Sequence, residues 1–162
     1  MKTSFLTKIS LLISVTIFAV ALVATSASAT ELGDVQVVEV YQAVDLDRFI
    51  AANPPLKSGK RVIVKPKGIK IQAQLMASPE EKEIKYAYTA LMMMNIDPLP
   101  DIRHRLFIRS AAGKVIAVYA TAQGAKKILD ELKVGEKVQF SGYHIYNYRL
   151  GPAIVIEDFI RS

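Results

Sequence analysis

The chain has 162 residues, 51% of them apolar, with 21 lysines and arginines, 15 acids and no cysteine. That length bounds it at about one domain. The missing cysteine excludes a disulfide-held scaffold and a thiol nucleophile, and a formal net charge of +6 is only mildly basic.

Residues 1–29 read as an export leader. Lys2 and Lys8 give a basic start, residues 9–24 are uncharged and mostly apolar, and Ala27-Ser28-Ala29 has the small-x-small form of a cleavage site. The apolar run falls short of the ~20 residues of a comfortable membrane span. Cleavage after Ala29 is therefore expected, rather than retention as an anchor, and no cysteine follows the run to carry a lipid. The expected product, residues 30–162, would not be membrane-embedded. Without disulfides it suits a bacterial periplasm, or secretion from such a cell. Removing the leader's two lysines leaves 19 bases against 15 acids, a net +4. The remaining charge is uneven: residues 31–47 are acidic, whereas seven bases and no acid lie between Arg48 and Lys70. Such a run is either a solvated face or a cationic surface for polyanions and anionic membranes.

In chain order, residues 34–41 (DVQVVEVY) alternate as a strand would, or form an extended arm. Asp45–Ala52 reads as one or two helical turns, closed by Asn53-Pro54-Pro55. Arg61–Leu75 reads as one long strand, bent where Pro66–Gly68 interrupts it. Ser78-Pro79-Glu80-Glu81 has the form of a capping box, predicting a helix over 79–94 with Ile84, Tyr88 and Leu91 on one face. Alternation of Tyr86, Tyr88, Ala90, Met92 and Met94 supports a rival strand reading. A hairpin about Ser110–Gly113 joins 103–109 to 114–120. Ala125, Ile128, Leu129 and Leu132 then mark an amphipathic helix over 121–132. Lys137–Tyr146 alternates as a half-buried strand, with Gly142 as a bulge or bend. Asn147–Pro152 is a turn cluster, and Ala153–Ile160 a last strand.

Five strands with a helix between the third and fourth is the layout of the OB-fold, a small Greek-key barrel. With the glycine-containing approach VGEKVQFSG to the fourth strand, residues 57–162 resemble the broad group of exported bacterial OB-fold proteins of poorly defined role. The resemblance implies a mainly β, five-stranded barrel. Residues 30–56 would be an N-terminal arm with a short helix, and an inserted helical segment at 76–102 departs from compact members of the group. Residues 30–47 could instead pair as an extra edge strand, which would offer a route to a homodimer.

No phosphate loop, dinucleotide fingerprint, nucleophile elbow or zinc-protease motif is present, and no cofactor is expected. Asp45-Leu46-Asp47 opens like a calcium loop but lacks its third ligand and its glycine. Glu157 and Asp158 are adjacent on a strand and point to opposite faces, wrong for joint acid–base work. His104 and His144 could bind a metal only with further ligands. Met92-Met93-Met94 reads as filler between insertion and barrel, or as an adaptable protein-binding patch.

The candidate ligand surface is aromatic and basic: Tyr143, Tyr146, Tyr148 and Arg149 in the last turn, Tyr86 and Tyr88 in the insertion, and Arg103, Arg105, Arg109 and Lys70 nearby. In OB-folds the loops after the first and fourth strands flank the ligand. Aromatic rings there can stack on bases or sugars beside cations. The plainer reading packs these tyrosines on the barrel exterior. The leading expectation is a non-enzymatic binding module for a protein partner or small envelope ligand. A single-stranded nucleic-acid or polyanion binder comes second. A metal-dependent hydrolase or nuclease comes third, since Asp97, Asp101, Glu157 and Asp158 have no recognisable spacing.

Overall fold

The computed structural model describes residues 41–161. The expected leader, its expected cleavage site and nearly all of the strand expected at 34–41 lie outside the described residues. The elements are β1 (Gln42–Val44), α1 (Leu46–Ala52), β2 (Val62–Glu81), α2 (Lys85–Met93), β3 (Ile102–Arg109), β4 (Val115–Thr121), α3 (Ala122–Glu131), β5 (Lys137–Tyr148) and β6 (Gly151–Arg161). The fold is mainly β. Among the described residues no helix is long and apolar enough to cross a membrane.

The strands form one sheet in the order β1-β2-β3-β4-β6-β5, and a further β2–β5 ladder closes it into a ring. β2 is long because its two halves serve two partners: 62–74 face β5, and 74–81 face β3. Its register slips between Ile63 and Lys67, where Pro66 has no N–H to donate. The ring's weak seam is β4–β6, a parallel ladder of only two pairs, Tyr119↔Val155 and Ala120↔Ile156.

The capping box expected at 78–81 is not one. Those residues belong to β2, with Glu80 and Glu81 opposite Arg105 and His104 of β3. Ladder pairing and the Arg105–Glu80 ion pair outweigh a local cap. Pro79 is tolerated because it falls in an irregular step of the register. The helix starts only at Lys85, with Ile84 in the cap position and no side-chain cap. The inserted segment thus begins after Glu81.

Inside the ring, alternate residues of β2, β3, β4, β5 and β6 build the core around Ile71, Leu106, Ile108, Val118, Phe140 and Ile156. α3 packs against it with Ala125 and Ile128, while Leu129, expected on that face, is 52% exposed. Gly124 explains the rotation: a Cβ there would lie 2.6 Å from the Glu157 carbonyl oxygen, so the helix's first turn rests directly on β6. α1 joins the same core through Leu46, with Phe49 and Ile50 packed on its edge. Gln42–Val44 of the arm pairs in parallel with Ile69–Ile71, so β1 ends the sheet.

A second apolar layer lies between α2 and β5–β6, comprising Ile84, Ala87, Leu91, Tyr143, Ile145, Tyr146 and Val155. It buries β5 on both faces from Gly142 to Tyr146, where simple alternation predicted half-burial. Gly142 permits this, since a Cβ would lie 2.0 Å from the Val155 oxygen. A register step between His144 and Tyr146 brings Tyr146 into the layer of Tyr143 and Ile145. The methionines do not fill this layer as expected. Met92 and Met93 are exposed, and only Met94 packs on it.

Candidate functional site: a tyrosine cleft beside the helix start

The turn cluster expected at 147–152 contracts to a tight hairpin. β5 runs to Tyr148 and β6 starts at Gly151, whose φ of 99° only glycine adopts without strain. Tyr143, Tyr146 and Tyr148 are therefore strand residues. Tyr146 is buried and Tyr148 half-buried, and only Arg149 and Leu150 form the exposed tip.

On β3 and β4, Leu106, Val118 and Ala120 point into the core, which sends Arg105 and Tyr119 outward. The register sets these two opposite each other. Tyr86 projects from the first turn of α2, and Arg61 stands just before β2. These pieces meet around a cleft of about 230 Å³. Tyr146 is part of its wall. Its ring meets Tyr86 edge-on at 4.9 Å and Tyr148 at 5.5 Å, and its hydroxyl donates to the Tyr119 hydroxyl at 3.2 Å. The Arg61 guanidinium lies over the Tyr86 ring, 4.3 Å from its centroid.

Burial, above all, raises the hydroxyls of Tyr119, Tyr146 and Tyr148 above the ordinary tyrosine value. At neutral pH they are uncharged phenols able to donate and accept. Charge comes from the rim: Arg61, Lys82, Lys85 and Arg105, against one lining carboxylate, Glu83. Lys85 pairs with Glu83 at 3.2 Å, and Arg105 with Glu80 of β2. The cleft therefore offers aromatic surface, neutral hydroxyls and a cationic edge, and its single lining carboxylate is paired with Lys85.

Of the ten expected site residues, Tyr86, Tyr146, Tyr148 and Arg105 converge here and six do not. Tyr143 is buried under α2. Tyr88 is a clamp: its hydroxyl donates to the Ile102 carbonyl at 3.0 Å and accepts from the Ile102 N–H at 2.8 Å, tying α2 to β3. Arg103 pairs with Asp101. Arg109 lies at the far end of β3 beside Gln74, Lys70 sits opposite Ala43 of β1, and Arg149 is at the hairpin tip. Tyr119, Arg61, Lys82 and Lys85 were not expected. Strand alternation does mark Tyr119 as outward, but only the pairing register places it beside Arg105.

The histidines stand on β3 and β5, strands that do not pair. His144 Nε2 contacts the Tyr146 carbonyl at 3.2 Å and Asn147 Oδ1 at 2.9 Å. The Nδ1 of His104 is buried without a hydrogen-bond partner. Asp45 caps α1 through the Arg48 N–H, and Asp47 accepts from Ser110 Oγ and the Ala112 N–H. Among the described residues no three His, Asp or Glu side chains are grouped to hold a metal ion.

Comparison with protein-family models, curated proteins and solved structures returned no match.

Proposed function

We propose that the chain is an exported, non-enzymatic binding module of OB-fold type and that the tyrosine cleft is its ligand site. The pairing supports the fold reading. From β2 onward five strands close in the order β2-β3-β4-β6-β5-β2, with α3 between the third and fourth. The leader motif over residues 1–29 supports export.

One observation supports the site: on the OB-fold reading, the cleft falls at the position where that fold takes its ligands. It is built on the outer face of the second and third strands, between the insertion after the first and the hairpin after the fourth. A concave space of about 230 Å³ suits a small envelope ligand, or a residue-sized part of a protein partner, better than a flat interface does. A second reading, a single-stranded nucleic-acid binder, is favoured by the Arg61–Tyr86 stack and the cationic rim. For a hydrolase the carboxylates are badly placed. Asp101 pairs with Arg103, Asp158 with Lys127, and Glu157 accepts from Tyr41.

The test is a thermal-shift screen of the exported protein against cell-wall fragments, extended peptides and short oligonucleotides. A ligand that stabilises wild type and Arg109→Ala but not Tyr148→Ala supports the reading. A ligand whose effect survives Tyr148→Ala and Tyr119→Ala but fails in Arg109→Ala overturns it.

A further inference from the structure

Resting on the cleft as the ligand site, we infer that its ligand is a ring-bearing phosphate ester, the chemistry of a nucleotide, with the phosphate on Arg61 and Lys82. The four rim cations are not equivalent. Lys85 and Arg105 are matched by Glu83 and Glu80, whereas the ion pairs among the described residues include neither Arg61 nor Lys82. The Arg61 guanidinium carbon lies 4.3 Å from the Tyr86 ring centroid, and a guanidinium's planar fork of N–H donors matches two oxygens of a phosphate in bidentate fashion.

Lys82 lies on the same rim and adds a point charge. Two unpaired cations suit a phosphate's charge and acceptor count better than a single carboxylate's. The uncapped start of α2 adds to the positive field without defining the site. The same cleft is lined by aromatic rings: the half-buried Tyr148 and Tyr119 give a ligand ring a surface, and their uncharged hydroxyls serve its polar atoms. A ligand carrying both an anion and a ring would engage the cations and the tyrosines together.

Isotope-labelled protein, purified in its exported form from cells, is titrated with thymidine 5′-monophosphate, thymidine and inorganic phosphate, following the Arg61 side-chain N–H and the Tyr148 ring resonances. The monophosphate should saturate and move both signals, binding at least about tenfold tighter than either fragment, as a charged hydrogen bond warrants. Arg61→Lys, which keeps the charge and loses the fork, should cost about tenfold or more, and Arg109→Lys nothing. An arm with a twelve-residue oligothymidylate separates the sources. Tighter binding than the mononucleotide marks a strand and equal binding a free nucleotide, and both sustain the inference. Thymidine saturating as tightly as the monophosphate, or Arg61→Lys binding like wild type, overturns the phosphate assignment while leaving the cleft as the site. A monophosphate that moves only Arg109 and Lys70 overturns both. Arg61 is exposed, so its variants keep the fold, checked by the unperturbed amide spectrum.

Discussion

His144 is 6% exposed, and its Nε2 faces two oxygens, the Tyr146 carbonyl and Asn147 Oδ1. The Asn147 amide is oriented by donating Nδ2 to Asn53 Oδ1, so Nε2 of the neutral ring carries the hydrogen. Burial, as the largest cause, and the Lys67 charge lower its pKa below the ordinary 6.5, against its hydrogen bonds. The unfolded chain then binds more protons than the folded one between the lowered value and 6.5. Stability is full above that range and falls as pH drops through it, by at most about 1.4 kcal/mol per pH unit. Urea unfolding at pH 7.5 and 5.5 should show a larger acid loss for wild type than for His144→Gln, and equal losses would refute this role. Glycines give a second residue-scale contrast. Gly142→Ala forces a Cβ to 2.0 Å from the Val155 oxygen and should cost more than about 3 kcal/mol, beyond ordinary overpacking. Gly113→Ala meets open space at φ +85° and should cost only about 1–2 kcal/mol of left-handed strain. Denaturation midpoints decide between them.

At the scale of elements, α3 begins where Thr121 Oγ1 accepts from the Gly124 N–H. Thr121→Ala should therefore cost about 1 kcal/mol. On the same helix, Ile128→Ala should cost about 2–5 kcal/mol, and the exposed Leu129 should tolerate glutamine within about 0.5 kcal/mol. Thermal midpoints of the three variants check the face.

Elements whose signals are local were legible in the sequence. The helical turns read at Asp45–Ala52 with their stop at Asn53 match α1, the proline break falls in a register slip of β2, and Gly142 marks a close crossing. What failed needed partners distant in sequence. Ser78–Glu81 looks like a cap until β3 is set beside it. The hairpin turn is the sharpest case. Starting the fourth element at Lys114 opposite Arg109 would pair Arg105 with Val118. In the structure Arg109 pairs with Val115, which puts Tyr119 opposite Arg105 on the outer face. A slip of one residue would reverse the faces, and with them the cleft.

For the whole molecule, the cleft is a consequence of closing the ring. The second apolar layer seats α2 beside β5, which brings Tyr86 to Tyr146, and the β3–β4 register supplies Arg105 and Tyr119. The tyrosine-rich end of the chain was recognisable early as a place of interest. Yet a third of the cleft's lining residues are Arg61, Lys82, Lys85 and Tyr119, which no local pattern groups with it.

The most direct test of the central claim, that this cleft holds a ligand, is photocrosslinking inside cells. p-Benzoylphenylalanine is placed at position 148 of the full-length chain or, as a control, at position 109, and intact mass is measured after irradiation. A discrete mass increment at 148 and none at 109 is the expected result. No adduct at 148, or the same adducts at both positions, would contradict the account.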